Sequence, residues 1–344
     1  MNKKISVIIP FFYSNNLIDN RVFELKSFDK CLAAIFQTKY NNYEVILVSD
    51  NSSLESINIA EKYKIKLIKS KTNRGAAHAR NLGASKAKGK ILLFLDSDVL
   101  IKKNALSIIN NYFNNKNNKG GLQGVYSHKH NYKSSISQYL TSYHCYYLFT
   151  ETKKNKFTDS LCTAFFSIKN ELFKKHKGFD TNFKKAGNED VDFGYKIIND
   201  NNKIEIDRRL ECIHRVNFGI ISFIKRTLRL HTEEMKMYLR NKSINKKINQ
   251  SNYSTVIIGI VLIFLIIAAS LLNKFYPITY YKFFLWISNF IFIIIHLRFL
   301  NFIYKSKGIL ISLKSILYLY LHRFLFIVCF FYGIISFYLF KKKY

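Results

Sequence analysis

Residues 90–98 read KILLFLDSD, an apolar run of strand length that ends in two aspartates, Asp96 and Asp98. Short apolar runs bounded by polar turn residues are typical of buried β-strands. Two carboxylates at the end of such a strand repel each other unless they share a cation. Mg²⁺ and Mn²⁺ meet that need, because these hard ions prefer oxygen ligands and bridge substrate phosphates. A plain strand-ending turn, which Asp and Ser also favour, is the alternative.

Three similar runs precede this strand and alternate with helical patterns. The runs cover residues 4–10, 43–49 and 65–69, and the helical patterns cover residues 23–38, 53–63 and 76–87. This alternation predicts an α/β fold with a mostly parallel sheet flanked by helices. Ligands of such sheets bind outside the carboxyl ends of the strands, so we expect residues 10–15, 50–53 and 96–98 to line one crevice.

Two further polar residues lie near these strand ends. Asp50 ends a strand just before a helical pattern, and capping that helix is the simplest role for this part of the chain. Residues 73–83, NRGAAHARNLG, form a glycine-containing turn and a helix start made of small residues. Arg80 on that helix suits an anionic group such as a phosphate, although a lone arginine on a helix is more often simply solvated.

Four segments, in this order and at these spacings, resemble the family 2 glycosyltransferases, which have the GT-A fold. They are VIIPFFYSNN at 7–16, EVILVSDNSS at 44–53, the stretch 73–99, and GFDTNFKKAGNEDVDFGYKI at 178–197. Each motif is weak alone, but the set is specific and covers residues 5–199. The resemblance implies an inverting enzyme that uses a nucleotide diphosphate sugar, with UDP or GDP as the nucleotide.

The resemblance also implies which residues bind the donor. Asp50 is expected to hold the nucleoside, and Asp96 is expected to lie by the ribose. The other donor-binding residues that it implies are Pro10, Phe11 and Arg80.

Two departures from the family pattern bear on the substrates. Family members often have an aspartate where this chain has Ser49 and a glycine where it has Asn51, which leaves the base of the nucleotide open. The Gln-x-x-Arg-Trp signature of processive synthases in the family is missing, since the one tryptophan is Trp286. We therefore expect one sugar, or a few, to be added rather than a long polymer.

A metal and a general base complete the implied site. Asp98 is expected to bind Mg²⁺ or Mn²⁺ at the diphosphate, and His214 to lie by the metal, with a structural histidine as the alternative. The fourth segment supplies the base, for which Asp190 is the first choice and Glu189 the second. The attacking hydroxyl must lose its proton while the departing diphosphate needs its charge neutralised. Asp192 begins a helix, where an acid complements the helix dipole.

The C-terminal part of the chain has a different composition. The chain has 54 Lys+Arg and 22 Asp+Glu, yet no acid occurs after residue 253. Apolar runs at residues 254–272, 283–304 and 315–340 are long enough to cross a bilayer. A histidine and an arginine interrupt each of the last two runs toward one end, where the cation is expected to snorkel to the interface. The pattern predicts two or three transmembrane helices.

We expect three regions in a multi-pass protein of the cell membrane. Residues 1–217 form the GT-A catalytic domain, residues 218–253 a basic amphipathic segment at the membrane surface, and residues 254–344 the membrane region. The net charge of +32 is attributed to an anionic membrane surface and not to nucleic acid, because the basic runs lie beside the apolar tail. The same basic residues place the catalytic domain in the cytoplasm.

The leading hypothesis is a membrane-anchored glycosyltransferase whose acceptor is held at the lipid bilayer, as a lipid-linked saccharide or a cell-surface polysaccharide precursor. A processive polysaccharide synthase and a catalytically inactive scaffold or binding protein on the same fold are the alternatives. Two or three spans are few for a polysaccharide conduit. The clustered acids Asp96, Asp98, Glu189 and Asp190 argue against an inactive protein, which has no reason to keep them.

Overall fold

The computed structural model describes residues 3–14, 21–130, 132–154, 156–158, 161–183, 187–240, 253–277 and 279–341. The chain forms two compact units. Unit 1 comprises Met1–Ser127 and Glu151–Val216, and unit 2 comprises His128–Thr150 and Asn217–Tyr344. Residues 128–150 therefore group with the C-terminal helices, although the sequence pattern placed them in the catalytic region.

Unit 1 is built around one sheet. In the described residues its strands β1 to β9 are Ile5–Phe11, Tyr43–Asp50, Lys66–Ser70, Ile91–Leu95, Val99–Ile101, Gly121–Tyr126, Phe157–Thr158, Phe165–Lys169 and Ile204–His214. Their order is β3-β2-β1-β4-β8-β6-β9-β5, and β7 pairs with β9. The first four strands along the chain are parallel. β8 is antiparallel to both β4 and β6. The mixed α/β sheet confirms the fold class, and the parallel pairing expected from sequence holds for β1 to β4.

The helices of unit 1 that precede or follow these strands are short or medium in length. They are α1 (Arg21–Phe36), α2 (Leu54–Ala60), α3 (Ala76–Ser85), α4 (Ala105–Asn114), α6 (Asn170–Lys175) and α7 (Glu189–Asn199). Val7 and Ile9 belong to the buried cluster on one face of the sheet, and Ile8 belongs to the cluster on the other. Burial on both faces explains why β1 reads as a continuous apolar run in the sequence.

A glycine sets the close packing of α3 on the sheet. A Cβ atom at Gly83 would lie 2.5 Å from Cγ2 of Ile8 in β1, closer than such atoms approach in proteins. The missing side chain therefore lets α3 lie directly on β1, and Arg80, one turn earlier, is carried into the interior.

Unit 2 is helical in its described residues. Its helices are α5 (Ser135–Lys154), whose last residues belong to unit 1, and α8 (Ile220–Arg240), α9 (Tyr253–Phe275), α10 (Tyr281–Lys307) and α11 (Ile309–Tyr338). Among the described residues, α9, α10 and α11 are long and apolar enough to cross a membrane. The expected basic segment is helical as far as Arg240, and residues 241–252 lie outside the described part of the chain.

The interior of unit 2 contains a cation. Arg323 of α11 is fully buried and donates hydrogen bonds to the hydroxyls of Tyr143 and Tyr147 on α5. The expectation that its side chain snorkels to an interface is wrong, because α5 covers it with hydroxyl groups. Arg298 of α10, by contrast, is exposed.

Candidate functional site

Hydrogen bonds join the loops that follow β1, β2 and β4. The hydroxyl of Ser52 donates to the carbonyl of Phe11 over 2.9 Å, and the amide of Ser53 donates to the carbonyl of Tyr13 over 2.8 Å. The hydroxyls of Tyr13 and Ser97 lie 2.9 Å apart. The three loops therefore meet at the carboxyl ends of the parallel strands, as expected for a ligand crevice.

Asp50 holds the turn that begins α3. Its carboxylate accepts hydrogen bonds from the backbone amides of Arg74 and Gly75, at 2.9 and 2.8 Å. Gly75 has a φ of 92°, which favours glycine, and Asn51 has a φ of 66°. Asparagine tolerates this left-handed conformation better than most residues, which accounts for Asn51 at a position where the family resemblance implies glycine. The carboxylate of Asp50 thus shapes the crevice through the backbone.

The structure separates the two aromatic residues that follow Pro10. The ring of Phe11 lies in the core, stacked on Phe28 with 4.9 Å between ring centroids. Phe12 is exposed, and Pro10 is half-buried. Phe11 therefore reaches the crevice only through its backbone carbonyl.

Arg80 lies between two carboxylates. Its Nη1 is 2.6 Å from Oε1 of Glu189, and its Nη2 is 2.8 Å from Oδ1 of Asp96. The side chain is only 3% exposed. Burial alone would lower the pKa of Arg80, but Asp96, Glu189 and Asp190 raise it above its usual value. Arg80 therefore ties the end of β4 to α7, and both of its terminal nitrogens are engaged by side chains, not aimed at a phosphate.

Asp190 follows in the first turn of α7 and is partly exposed. It accepts hydrogen bonds from the amide of Thr163 at 3.2 Å and from the amide of Val191 at 2.9 Å. Burial and the neighbouring Glu189 raise the pKa of Asp190 to about 7, although Arg80 opposes the rise. A carboxyl group that titrates near neutral pH suits general base catalysis.

Asp98 and His214 form a pair of potential metal ligands. The antiparallel pairing of Val99 with His214 brings them together, with 3.2 Å between Oδ2 of Asp98 and Nε2 of His214. Both side chains reach solvent, with 31% and 17% exposed, and the ring of Tyr126 stacks on His214 at 4.8 Å. No group of three potential ligands occurs among the described residues. The pair fits a cation that takes further ligands from substrate phosphates.

Several residues of the site carry no sequence signal of their own. Tyr126 and Thr163 come from a part of the chain without a recognisable pattern, and their positions depend on β6 and on the start of β8. Tyr13, Ser52 and Ser97 lie inside the motifs. Their hydroxyl groups and their places just after strand ends are the only sequence signals that could have identified them as site residues.

Comparisons with known proteins agree with the expected family and fold. The sequence profile described as "Glycosyl transferase family 2" matches residues 6–177, half of the chain. Glycosyltransferase GlyG of Streptococcus pneumoniae is 28% identical over 140 residues, which cover 36% of this chain and 43% of that protein. The poly(ribitol-phosphate) beta-N-acetylglucosaminyltransferase TarP of Staphylococcus aureus is 32% identical over 130 residues, 36% of this chain and 37% of that protein. The chain thus spans less than half the length of these relatives.

A solved structure extends the likeness over both units. The mannosyltransferase PcManGT from Pyrobaculum calidifontis, solved with GDP-Man and Mn²⁺, matches with a TM-score of 0.59 at 15% identity. The match covers 97% of this chain and 88% of that one. At this identity the likeness shows the fold alone.

Proposed function

We propose a sugar-transfer reaction for this chain, which belongs to glycosyl transferase family 2. The donor is a UDP- or GDP-linked sugar, and the acceptor is associated with a membrane. The observation that carries the proposal is the grouping of Asp96, Glu189 and Asp190 around one buried arginine where parallel strands end. The GDP-Man bound to the mannosyltransferase of the same fold supports a donor of this class.

Asp190 is the general base of this reaction. It takes the proton of the acceptor hydroxyl while the hydroxyl oxygen bonds to the anomeric carbon of the sugar. The bond from that carbon to the diphosphate oxygen breaks, and its electron pair leaves with the diphosphate. Attack from the opposite face inverts the configuration. Glu189 is less suited, since it is buried and its carboxylate is paired with Arg80 at 2.6 Å, whereas Asp190 is partly exposed and, among the described residues, accepts hydrogen bonds only from neutral donors.

Asp98 and His214 are the residues that would hold Mg²⁺ or Mn²⁺. A divalent cation bound there supplies the positive charge that the departing diphosphate needs. Metal dependence is typical of the family, and the Mn²⁺ in the mannosyltransferase structure supports it. Asp96 is partly exposed and remains the candidate for the ribose, whereas Asp50 fixes the turn beside the nucleoside.

The acceptor is a lipid-linked saccharide or a polysaccharide precursor at the bilayer. α9, α10 and α11 are suited to cross a membrane, and α8 exposes Ile220 and Ile221 close to Lys225 and Arg226 in the chain. Such an apolar and basic helix suits the surface of an anionic leaflet. Lysines at the end of α10 favour the same side of the membrane for unit 1, which is then cytoplasmic.

The test uses the full chain in vesicles, because α5 and α8 share a core with α9 to α11 that a truncation would expose. UDP- and GDP-sugars are offered with MgCl₂ or MnCl₂, together with a lipid-linked or a soluble saccharide acceptor. We expect transfer from one donor to the lipid-linked acceptor, and no transfer in excess EDTA or with Asp98→Asn. Asp200→Asn, which alters a surface carboxylate paired with Lys175, is the matched control.

Four results would count against parts of this proposal. Full transfer in EDTA removes the metal assignment, and equal transfer to soluble saccharides removes the reason for a membrane acceptor. Turnover of no nucleotide sugar under any condition favours the inactive scaffold. Long polymeric products would instead identify a processive synthase.

A further inference from the structure

Arg80 spans two carboxylates that come from different parts of the chain. Asp96 ends β4 on the donor side of the crevice, and Glu189 begins α7, where the acceptor is expected. Only the forked guanidinium of arginine can hold two such groups at 2.8 and 2.6 Å from separate nitrogens. A lysine offers a single ammonium nitrogen at this place. The arrangement therefore physically links the two halves of the proposed site.

Glu189 is buried, and both of its carboxylate oxygens have a hydrogen-bond partner. The carboxylate is 2% exposed, with Oε1 facing Arg80 and Oε2 facing the amide of Gly187. Asp190, the next residue, is partly exposed and accepts hydrogen bonds from neutral donors, from Thr163 at 3.2 and 3.4 Å and from the amide of Val191 at 2.9 Å. Two adjacent acids thus have different surroundings, which is how one fold separates the roles of two carboxyl groups.

We propose that Arg80 is a positioning residue that holds the side chain of Glu189 in place beside Asp190, so that the acceptor proton goes to Asp190. The inference rests on the proposed function and adds a residue to it. The proton leaves the acceptor hydroxyl for a carboxylate oxygen of Asp190 as the new bond to the anomeric carbon forms. Glu189 is given no part in this proton transfer, because its two oxygens contact Arg80 and the amide of Gly187 inside the protein.

The two neighbours act on Asp190 in opposite directions. Burial comes first and Glu189 second in raising the pKa of Asp190 to about 7, while Arg80 lowers it. Cys162 also faces Asp190, and burial and Asp190 raise the pKa of that thiol to about 11, which leaves it neutral. The charged groups that tune Asp190 are therefore Glu189 from its own helix and Arg80 from α3.

The test is the pH dependence of kcat for sugar transfer, whose acid limb reports the base in the bound complex. Glu189→Gln removes the negative neighbour, so Asp190 stays deprotonated at lower pH. We expect its acid limb to move down by about one pH unit. Arg80→Gln removes the positive neighbour, so the carboxyl pair binds a proton at higher pH and the limb moves up by about one unit. A purely structural role would reduce the rate without moving the limb in opposite directions.

Controls separate this inference from the proposed function. Glu61→Gln removes an exposed carboxylate paired with Lys69, and its limb should match the wild type. Arg80→Gln risks misfolding because it leaves two carboxylates without their cation, and in that case the downward shift of Glu189→Gln carries the test. Unmoved limbs, or a Glu189→Gln limb that moves upward, would overturn the role of Arg80 while wild-type transfer keeps the proposed function intact. A wild type without any transfer would remove both.

Discussion

Each of the two units buries an arginine, and the two units compensate its positive charge in different ways. Arg80 in unit 1 is 3% exposed and contacts two carboxylates at 2.8 Å or less. Arg323 in unit 2 is 0% exposed and contacts the neutral hydroxyls of Tyr143 and Tyr147 at 3.1 and 3.4 Å, and Nε2 of His296 at 3.5 Å. One cation is balanced by charge, and the other is only solvated by polar groups.

The difference follows from composition. Unit 2 has just two acids in its sequence, Glu233 and Glu234, and these pair with Lys236 and His231 on the same helix. Unit 1 has acids at its strand ends and at the start of α7. Charge-assisted hydrogen bonds are shorter and stronger than neutral ones, so unit 1 holds its groups in a defined geometry. The comparison indicates chemistry in unit 1 and packing in unit 2.

The largest expected effect on stability is that of Arg80→Met. Removing the cation leaves the buried carboxylate of Glu189 without its positive partner and also unpairs the partly exposed Asp96. Breaking a buried ion pair in this way typically costs about 3–5 kcal/mol. We expect unit 1 to unfold at correspondingly lower denaturant, measured by labelling of the buried Cys31 thiol in detergent. Arg80→Lys keeps the charge and should lose less. If Arg80→Met were as stable as the wild type, the claim that unit 1 depends on its buried cation more than unit 2 does would be wrong.

A smaller effect is expected for Tyr139→Phe in unit 2. The Tyr139 hydroxyl lies 2.9 Å from Nδ1 of His322, and both side chains are buried. Loss of the hydroxyl leaves that nitrogen unpaired, at a cost of about 1–3 kcal/mol. Trp286, the single tryptophan, lies in α10 and reports unfolding of unit 2 by fluorescence. Tyr304→Phe alters an exposed tyrosine and should leave the stability of unit 2 unchanged. An equal loss of stability in both variants would show that the buried hydrogen bond of Tyr139 contributes nothing specific.

The smallest effect is expected for Arg323→Met. The substitution removes hydrogen bonds to neutral partners but also removes the penalty of keeping a charge out of water. The two terms oppose each other, so we expect the stability of unit 2 to change by less than about 1 kcal/mol in either direction. The same Trp286 fluorescence measures it. A loss as large as that of Arg80→Met would show that unit 2 depends on its cation as much as unit 1 does.

Much of unit 1 could be predicted from sequence because its signals are local. Strands β1, β2 and β4 are buried on both faces and read as apolar runs, and each is followed by polar residues that meet at one edge of the sheet. The antiparallel strands and the place of residues 128–150 were missed, since they depend on pairing between distant segments. The pairing of Asp98 with His214 could not be predicted from sequence, because it depends on the register of β5 on β9.

The two arginines show where sequence reasoning ends. Arg80 suggested a phosphate ligand because its helix begins with small residues, yet its partner Glu189 lies 109 residues away in the chain. Arg323 suggested snorkelling because it interrupts an apolar run, yet hydroxyls from α5 surround it. In both cases the sequence drew attention to the arginine, and the tertiary structure decided which groups its side chain contacts.

The central claim, that the carboxylates of unit 1 carry the chemistry, is tested most directly by Asp190→Asn. The measurement is the rate of sugar transfer by the full chain in vesicles, together with the affinity for the free nucleotide. Loss of a positioned base predicts a rate lower by about 10² to 10⁴-fold with nucleotide affinity nearly unchanged. A rate close to that of the wild type would contradict the claim, and a parallel loss of nucleotide affinity would move Asp190 to the donor site and make Glu189 the better base.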